Sequence, residues 1–222
     1  MKKTHLAFLT LLLVGISCKK SSSTPETPQK YMSLSANSSW TYEIQNALTA
    51  SVTTNTSTST SRDSAILGKS YHVFTNSNGS PNDYYNITGD DYYSFRNLPA
   101  ATGIGPLETI YLKENAAVGI NWSQTVNFPL SGVPSTIPVV FTNTITEKGV
   151  DRTVNGTAYT NVIHITTTIA VTGLPPGSVV SDIQSYYAPK YGLIESKYKV
   201  SLPLLTATNV DQHTILKSAT IK

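Results

Sequence analysis

Apolar and polar residues alternate along several stretches of this chain, and the alternation is clearest in its second half. Ile163 and Ile165 flank His164, and the same period of two recurs around Ile145 and around Tyr198. This period places successive side chains on opposite faces of an extended strand, so each stretch has one apolar and one wet face. One wet face per strand is typical of antiparallel sheets, which the pattern therefore predicts.

The first half of the chain is also predicted to consist of strands. Trp40, Tyr42 and Ile44 alternate with polar residues and predict the first strand of the domain. Residues 49–61 are mainly Thr and Ser without an apolar face, so they fit either a strand of an exposed hairpin or a mobile loop. Residues 177–182 are the best candidate for a short helix, and no longer helix is expected.

These patterns predict an all-β fold, with a single domain of long curved antiparallel strands that is half-barrel or sandwich-like. Two similar halves are one arrangement of such a domain, because SSWTYEI, GKSYHVF and YYNI resemble INWSQTV, GTAYTNVIHI and YYAPKYGLIESKY further along the chain. Residues 149–156 are expected to connect the two strands of a hairpin. The last strand is expected over residues 212–221.

The first twenty residues, MKKTHLAFLTLLLVGISCKK, have the features of an export signal. Lys2 and Lys3 precede a mainly apolar run over residues 6–16, which is shorter than the roughly 20 residues that a membrane-spanning helix needs. Small and apolar residues then lead directly into Cys18, the only cysteine. This pattern resembles the lipobox of bacterial lipoproteins, although Gly15 stands where that family usually has Leu. The resemblance implies a diacylglyceryl lipid on the sulfur of Cys18, and the alternative is a secreted protein with an incidental cysteine.

The predicted organisation is a signal peptide over residues 1–17, a lipidated cysteine with a flexible tether over 18–30, and an antiparallel β domain over 31–222. The tether sequence KKSSSTPETPQK has no aromatic or aliphatic residue with which to form a core. The expected location is the cell envelope, lipid-anchored at the outer membrane, on a face that the sequence leaves open. Loss of the two leader lysines lowers the formal net charge from +3 to +1. Nucleic acid is therefore not expected as a partner.

Two stretches resemble single-domain lipoproteins of Bacteroidetes-type bacteria. YMSLSANSSWTYEI is similar to the Y-x-P-L-x-x-G-x-x-W-x-Y start of those domains, with Ser33 in place of Pro and without the Gly. SYYAPKYGLIESKYKV is similar to their W/Y-Y-A-x-x-x-G-L-I/V-K hairpin. The resemblance implies an envelope location and an extended, curved antiparallel sheet. It carries no catalytic residue over to this chain.

No catalytic, cofactor-binding or metal-binding residue is predicted. His72, His164 and His213 are each isolated in a predicted strand, and no metal-ligand spacing connects them. Asp90-Asp91, with Asp83 nearby, offers oxygen ligands of the kind that Ca²⁺ prefers, but consecutive carboxylates in a turn are usually only solvated. No cofactor is expected other than the covalent acyl lipid of the anchor.

Adjacent tyrosines are the most distinctive side-chain pattern. Each pair is expected to place one ring inward and one outward, because neighbours in a strand point to opposite faces. Outward rings would stack on a sugar or an apolar ligand, whereas the alternative role is cross-strand aromatic pairing that stabilises the sheet. The pairs considered for ligand stacking are Tyr84 and Tyr85, Tyr92 and Tyr93, and Tyr186 and Tyr187.

A separate motif, Asp63-Ser64-Ala65, resembles a short acceptor for O-glycosylation at Ser64.

The expected function is that of a non-enzymatic, membrane-anchored binding or structural module for an apolar or glycan ligand. A second hypothesis is an interaction subunit of an outer-membrane complex, docked on an envelope protein through exposed sheet edges. A third is a hydrolase whose site is assembled from distant residues. A deep apolar concavity would favour the first, and a flat exposed aromatic patch the second. The third requires a cleft that gathers at least two of Asp83, Asp90, Asp91, His72 and His164.

Overall fold

The computed structural model describes residues 29–97, 105–129, 136–175, 177–201 and 209–222. The predicted signal peptide, Cys18 and the tether up to residue 28 lie outside the described residues. The described residues contain no helix, and so none that is long and apolar enough to cross a membrane. Their twelve strands are β1 Ser39–Asn46, β2 Ser51–Ile66, β3 Lys69–Asn76, β4 Asp83–Thr88, β5 Asp91–Arg96, β6 Leu107–Lys113, β7 Asn121–Pro129, β8 Thr136–Val154, β9 Thr157–Val171, β10 Val180–Ala188, β11 Gly192–Ser201 and β12 Val210–Thr220.

All twelve strands belong to one antiparallel sheet, in the order β6-β5-β4-β3-β2-β1-β12-β11-β10-β9-β8-β7. Strands β1 to β6 form one meander and β7 to β12 form another, and the ladder between β1 and β12 joins the two. The prediction of a single all-β domain of curved antiparallel strands is confirmed. The half-barrel alternative describes it, since there is one sheet rather than two packed sheets. The stretches that echo each other begin at equivalent strands, namely β1 and β7, β3 and β9, and β4 and β10.

Residues 49–61 belong mostly to β2, which starts at Ser51 and pairs with β1 on one side and β3 on the other. Pairing on both sides satisfies the backbone of this Ser- and Thr-rich segment, so it forms a strand without an apolar face of its own. Cross-strand hydroxyl pairs add to the ladder, as between Thr41 and Thr56 at 3.0 Å. The strand interpretation of this segment is therefore correct.

Two boundaries differ from the sequence expectation. Strand β8 continues through Val154, so residues 149–154 are strand rather than connection, and the turn consists of Asn155 and Gly156. Both turn residues have positive φ, 48° and 78°, as the tight turn of a two-residue hairpin requires. The short helix considered over residues 177–182 is wrong, because Val180 already pairs with Ser201 of β11.

The sheet curls until its two edge strands, β6 and β7, lie side by side. Register shifts bend the ladders β1–β12, β2–β3, β5–β6, β8–β9 and β10–β11. Trp122 on β7 donates its Nε1–H to the carbonyl of Ile110 on β6 at 2.8 Å, and the Gln124 amide donates to the carbonyl of Glu108. Side-chain donors of β7 thus bind carbonyl groups of β6. On an exposed edge strand, such carbonyl groups would remain free to pair with a strand of another molecule.

We name the two ends of the sheet by their turns. The lower end carries the turns at residues 67–68, 89–90 and 189–191, and the upper end carries those at 47–50 and 77–82. Opposite ends follow from the alternating direction of the strands in each meander. The chain reaches the described domain at the lower end, where the amide of Lys190 donates to the carbonyl of Lys30 at 2.7 Å.

Residues 30–38, which we call the strap, cross the lower end inside the curl and bind both meanders. The Tyr31 amide donates to the Tyr92 hydroxyl at 2.8 Å on one side, and the Tyr31 hydroxyl donates to the carbonyl of Asn161 at 2.5 Å on the other. Met32 packs against both hydrophobic clusters of the core. Gly192 turns beneath the strap with φ 68°, a left-handed conformation that a side chain would strain. The strap therefore closes the lower end.

Trp122→Phe tests the contact between the edge strands. The phenyl ring keeps most of the packing but removes the donor to Ile110, so we expect the free energy of unfolding to fall by about 1 kcal/mol. Urea unfolding of the full chain measures this loss. Thr125→Ser, at an exposed position of the same strand, is the control and should stay within about 0.5 kcal/mol of the wild type. An unchanged urea midpoint in Trp122→Phe would show that this bond does not stabilise the curl.

Candidate functional site

A cavity of about 320 Å³ lies inside the curl, above the strap. Its walls come from both meanders, because β1 to β6 supply one side and β10 to β12 the other. Trp40, Tyr42 and Ile44 all line it, so the apolar face of the first predicted strand is the inner face of the sheet. Met32 of the strap closes the cavity below. We call this space the tyrosine cavity.

Four tyrosines from four different strands surround the cavity. The ring centroids of Tyr85 and Tyr111 are 5.9 Å apart, and those of Tyr111 and Tyr187 are 5.6 Å apart. The Tyr42 hydroxyl donates to the carbonyl of Leu193 at 3.0 Å, across the junction of the two meanders. Edge-to-face and tilted ring contacts at these distances hold the aromatic walls in place.

The cavity tyrosines remain neutral under ordinary conditions. Burial raises the pKa of Tyr187 to about 12. Burial, followed by the neighbouring tyrosines, raises the pKa of Tyr42 and of Tyr111 well above the usual value near 10. These hydroxyls can donate and accept hydrogen bonds, but they do not supply a tyrosinate base at physiological pH.

Charged residues lie at the upper end of the cavity. Arg96 Nε is 3.7 Å from Asp83 Oδ1, and the Arg96 side chain is 65% exposed, which marks the mouth of the cavity. The Asn76 amide donates to Asp83 Oδ2 at 2.8 Å. The mouth therefore lies at the end of the sheet opposite to Lys30, where the tether reaches the domain.

The predicted tyrosine pairs divide between the two faces. Tyr85 and Tyr187 face the cavity. Their partners contact protein groups on the other face: Tyr84 packs on Phe95 at 6.1 Å, and Tyr186 stacks on a histidine. In the third pair, Tyr92 is buried and donates to Glu114 at 2.6 Å, while Lys69 Nζ lies 3.8 Å from the ring centre of Tyr93. Thus the inner rings, rather than the outer ones, border an open space.

His72 is part of a chain of bonds that resembles a hydrolase triad. Ser59 Oγ is 2.9 Å from His72 Nε2, and His72 Nδ1 is 2.7 Å from Asp63 Oδ1. Ser59, however, is only 1% exposed, and its Oγ is also 3.1 Å from the carbonyl of Leu34 in the strap. Main chain thus covers the hydroxyl that a substrate would have to reach. The chain of bonds fastens the strap to β2 and β3.

His164 and His213 belong to a second polar cluster, centred on Glu195 of β11. The Glu195 carboxylate binds Arg152 Nη2 at 2.6 Å and His213 Nε2 at 2.8 Å. Arg152 Cζ lies 3.4 Å from the ring centre of Tyr186, and His164 stacks on the same ring at 4.1 Å. Two planar groups at these distances occupy opposite faces of the ring. Since Arg152 lies near the tip of the β8–β9 hairpin, the cluster fastens that tip across β10 and β11.

Two pKa shifts describe the electrostatics of this cluster. Burial raises the pKa of Glu195, but the hydrogen bonds from His213 and Arg152 outweigh burial and hold that pKa below its usual value near 4.5. Burial lowers the pKa of His164 below 6.5, although Glu147 at 3.2 Å acts in the opposite direction. The cluster thus favours an ionised Glu195 and a neutral His164.

The acids considered for Ca²⁺ do not converge. Asp83 lies at the upper end, whereas Asp90 and Asp91 lie at the lower end, where Asp90 pairs with Lys30 at 3.2 Å and Asp91 with Lys113 at 2.9 Å. Among the described residues, no group of three or more acids, histidines or cysteines is placed to hold a metal ion.

Ser64 lies half-buried in β2 opposite Tyr71, and its glycosylation stays a prediction.

A second cavity, of about 560 Å³, lies at the lower end beside the strap. Glu114, Thr160, Asn161 and Lys190 are among its lining residues, so its walls are largely polar. Tyr31, Tyr159 and Tyr191 also line it, but it has fewer aromatic side chains than the tyrosine cavity to surround an apolar ligand. The tyrosine cavity is for this reason the stronger candidate for a binding site.

Comparison with known proteins supports the fold. No protein-family model matches the chain, and no curated protein matches its sequence. A crystal structure of "a putative lipoprotein" from Parabacteroides distasonis is similar, with a TM-score of 0.54 and 10% identity over 88% of this chain and 100% of that one. Another, of "a putative exported protein with YmcC-like fold" from Bacteroides fragilis, has a TM-score of 0.43 and 8% identity over 86% of this chain and 99% of that one. The first likeness shows a shared fold.

Three cavity residues were not singled out by sequence reasoning. Tyr42 was visible in the alternation of the first strand, but that pattern indicates only burial. Tyr111 lies alone in β6 and Arg96 ends β5, and no local pattern separates either from an ordinary strand residue. Their shared site arises from the curl, which brings β1, β5 and β6 around one space.

Glu195→Gln tests the cluster on β11. Because the folded pKa of Glu195 is depressed, its contribution is present above about pH 4.5 and is lost as the pH falls through the folded value. Glutamine leaves Arg152 without its carboxylate, so we expect a loss of roughly 3 kcal/mol at pH 7 and a flatter decline in acid. Urea unfolding at pH 7, 5 and 4 measures both effects. Glu43→Gln, at a more exposed pair with Lys217, is the control and should change stability far less.

Proposed function

We propose that this protein is an exported, lipid-anchored binding module without enzymatic activity, which holds an apolar or glycan ligand in the tyrosine cavity. It acts in the cell envelope, at the outer membrane, to which the acyl lipid on Cys18 attaches it. It requires no cofactor other than that covalent lipid. Two other non-catalytic functions are a structural role in the envelope and docking on an envelope protein.

The tyrosine cavity is the observation that carries this proposal. Its volume of about 320 Å³ falls at the lower end of the range of roughly 300–1,000 Å³ that is typical of small-molecule sites. Mainly apolar and aromatic walls with a small number of polar groups are the usual composition of such sites. A concave aromatic surface inside a sheet also has no evident structural purpose, because a fully packed interior would stabilise the fold more.

Support for export and anchoring comes from the leader and its cysteine. The similar protein from Parabacteroides distasonis is described as "a putative lipoprotein", in agreement with the lipobox pattern at Cys18. The twelve residues 19–30 span at most about 40 Å when fully extended. Since Lys30 lies at the lower end, such a tether leaves the mouth at the end away from the anchor.

The hydrolase hypothesis has less support in the described residues. Of the three acids and two histidines considered for a cleft, only Asp83 lines the tyrosine cavity. The triad-like chain of Ser59, His72 and Asp63 lies under the strap, where the serine hydroxyl is covered. A binding role therefore fits these residues better than a hydrolytic one.

Thr214→Trp tests the binding proposal. Thr214 lines the cavity on β12, so an indole there should exclude the ligand. We expect a small molecule that co-purifies with the wild-type full chain to fall at least tenfold in the variant, as measured by solvent extraction and mass spectrometry. Thr220→Trp makes the same exchange at an exposed position of the same strand and should retain the molecule. Equal amounts in all three proteins would contradict binding in this cavity.

Cys18→Ala tests the anchor. We expect the wild type to incorporate labelled palmitate and the variant to incorporate none, because the thiol is the acceptor in the lipobox pattern. Autoradiography of the purified full chain measures the label. Ser17→Ala keeps a small residue before the cysteine and should remain labelled. An unlabelled wild type would support the secreted alternative, in which the cysteine is incidental.

A further inference from the structure

We propose that the tyrosine cavity takes a compact anionic amphiphile, whose apolar body fills the floor and whose single anionic head binds Arg96 at the mouth. This inference rests on the proposed binding function and names the class of its ligand. It is carried by the arrangement of the cavity walls, by the cavity volume and by the charges at the mouth.

On strands β3 and β4, the cavity wall changes from apolar to polar between floor and mouth. Along the inner face of β3, Phe74 is followed towards the upper end by Asn76, and along β4 Tyr85 gives way to Asp83. At the floor, the ring centroids of Trp40 and Phe74 are 5.6 Å apart and both rings are buried. A ligand that matches this gradient has one apolar end and one polar end.

The same gradient separates an amphiphile from a glycan. A sugar carries hydroxyl groups around its whole circumference. Next to the rings of Trp40 and Phe74, the unpartnered Trp40 Nε1–H can bind one of them, and the other hydroxyl groups there would lose water without gaining a hydrogen bond from either ring. Burial without a hydrogen bond is unfavourable for every such group. An apolar body avoids this cost and buries its surface against the rings of Trp40 and Phe74.

The cavity volume limits the size of the apolar body. A cavity of 150 Å³ lined by apolar side chains holds one benzene molecule. At about 320 Å³, the tyrosine cavity offers roughly twice that space. A body of two fused aromatic rings, or an aliphatic group of equal volume, fits it, with the head group remaining at the mouth.

The charges at the mouth select an anionic head. Arg96 is the one lysine or arginine among the described residues that line the cavity. Its contact with Asp83 is long, 3.7 Å, compared with 2.6 Å for the Arg152–Glu195 pair. Asp83 also accepts a hydrogen bond from the Asn76 amide. Asp83 therefore keeps one partner when the Arg96 guanidinium turns to a ligand anion. A carboxylate or similar group can then make the bidentate contact that a guanidinium favours.

Titration calorimetry of the full chain with 2-naphthoate and 2-naphthamide tests the inference. The two probes have the same two-ring body and nearly the same shape, and only the first carries a charge. We expect the wild type to bind naphthoate more tightly. Arg96→Gln should weaken naphthoate binding about tenfold, which equals about 1.4 kcal/mol, and leave naphthamide binding unchanged. All proteins are prepared in the same neutral detergent.

Two further variants make the test independent of a general folding defect. Arg96→Lys keeps the charge and should bind naphthoate more tightly than Arg96→Gln does. Asp83→Asn removes the competing anion at the mouth and should strengthen naphthoate binding several-fold. A gain of affinity in one variant and a loss in the other cannot both come from misfolding.

The outcomes separate this inference from the function on which it rests. If the wild type binds both probes equally, or if Arg96→Gln weakens both equally, the anionic head is excluded. If Thr214→Trp still abolishes binding of both probes, the cavity remains a binding site and only the head-group assignment is overturned. If neither probe binds while a co-purified molecule is lost in Thr214→Trp, the amphiphile class is overturned and the binding function stands.

Discussion

The antiparallel ladder between β1 and β12 holds the two meanders of this protein together as one sheet. It pairs the first strand of the chain with the last, from Ser39 opposite Thr220 to Asn46 opposite Gln212. Without it, each meander would have two free edges and no partner for its inner face. With it, the sheet is wide enough to curl, and bulges in five of its ladders supply the bending.

A curled sheet of twelve strands encloses more space than the side chains of its inner face fill. The strap fills the lower part of that space, because Tyr31 and Met32 contact both meanders there. The upper part keeps the tyrosine cavity. The position of the cavity is thus a consequence of where the chain enters the domain, since the strap occupies the end at which the tether arrives.

Much of the fold could be predicted from local pattern. The alternation around Tyr42 and around Ile163 correctly predicted strands and their inner faces, because side-chain direction in a strand depends only on the parity of the residue number. The Ser- and Thr-rich β2 was less certain, since its strand form depends on pairing with β1 and β3 rather than on its own composition. The boundary of β8 was misjudged because its bulges interrupt the period.

The candidate site was predicted only in part. In each of the pairs Tyr84-Tyr85 and Tyr186-Tyr187, one ring faces the cavity. The period of two predicted one inner ring per pair. It does not indicate which face of the sheet would border an open space. Arg96 carries no local signal, and its importance comes from proximity to Asp83 across the β4–β5 hairpin. The polar clusters around Ser59 and Glu195 likewise join residues that no sequence spacing connects.

The antiparallel strands, the single-domain architecture and the pattern of an export signal that ends at a lone cysteine all follow from local sequence features. These properties depend on short-range periodicity and on the composition of contiguous segments. The tertiary structure alone decided that the sheet curls, that the strap closes its lower end and that four tyrosines from both meanders surround one cavity. The physical reason is that curvature and closure depend on contacts between residues far apart in the chain, such as Trp122 with Ile110 and Tyr42 with Leu193.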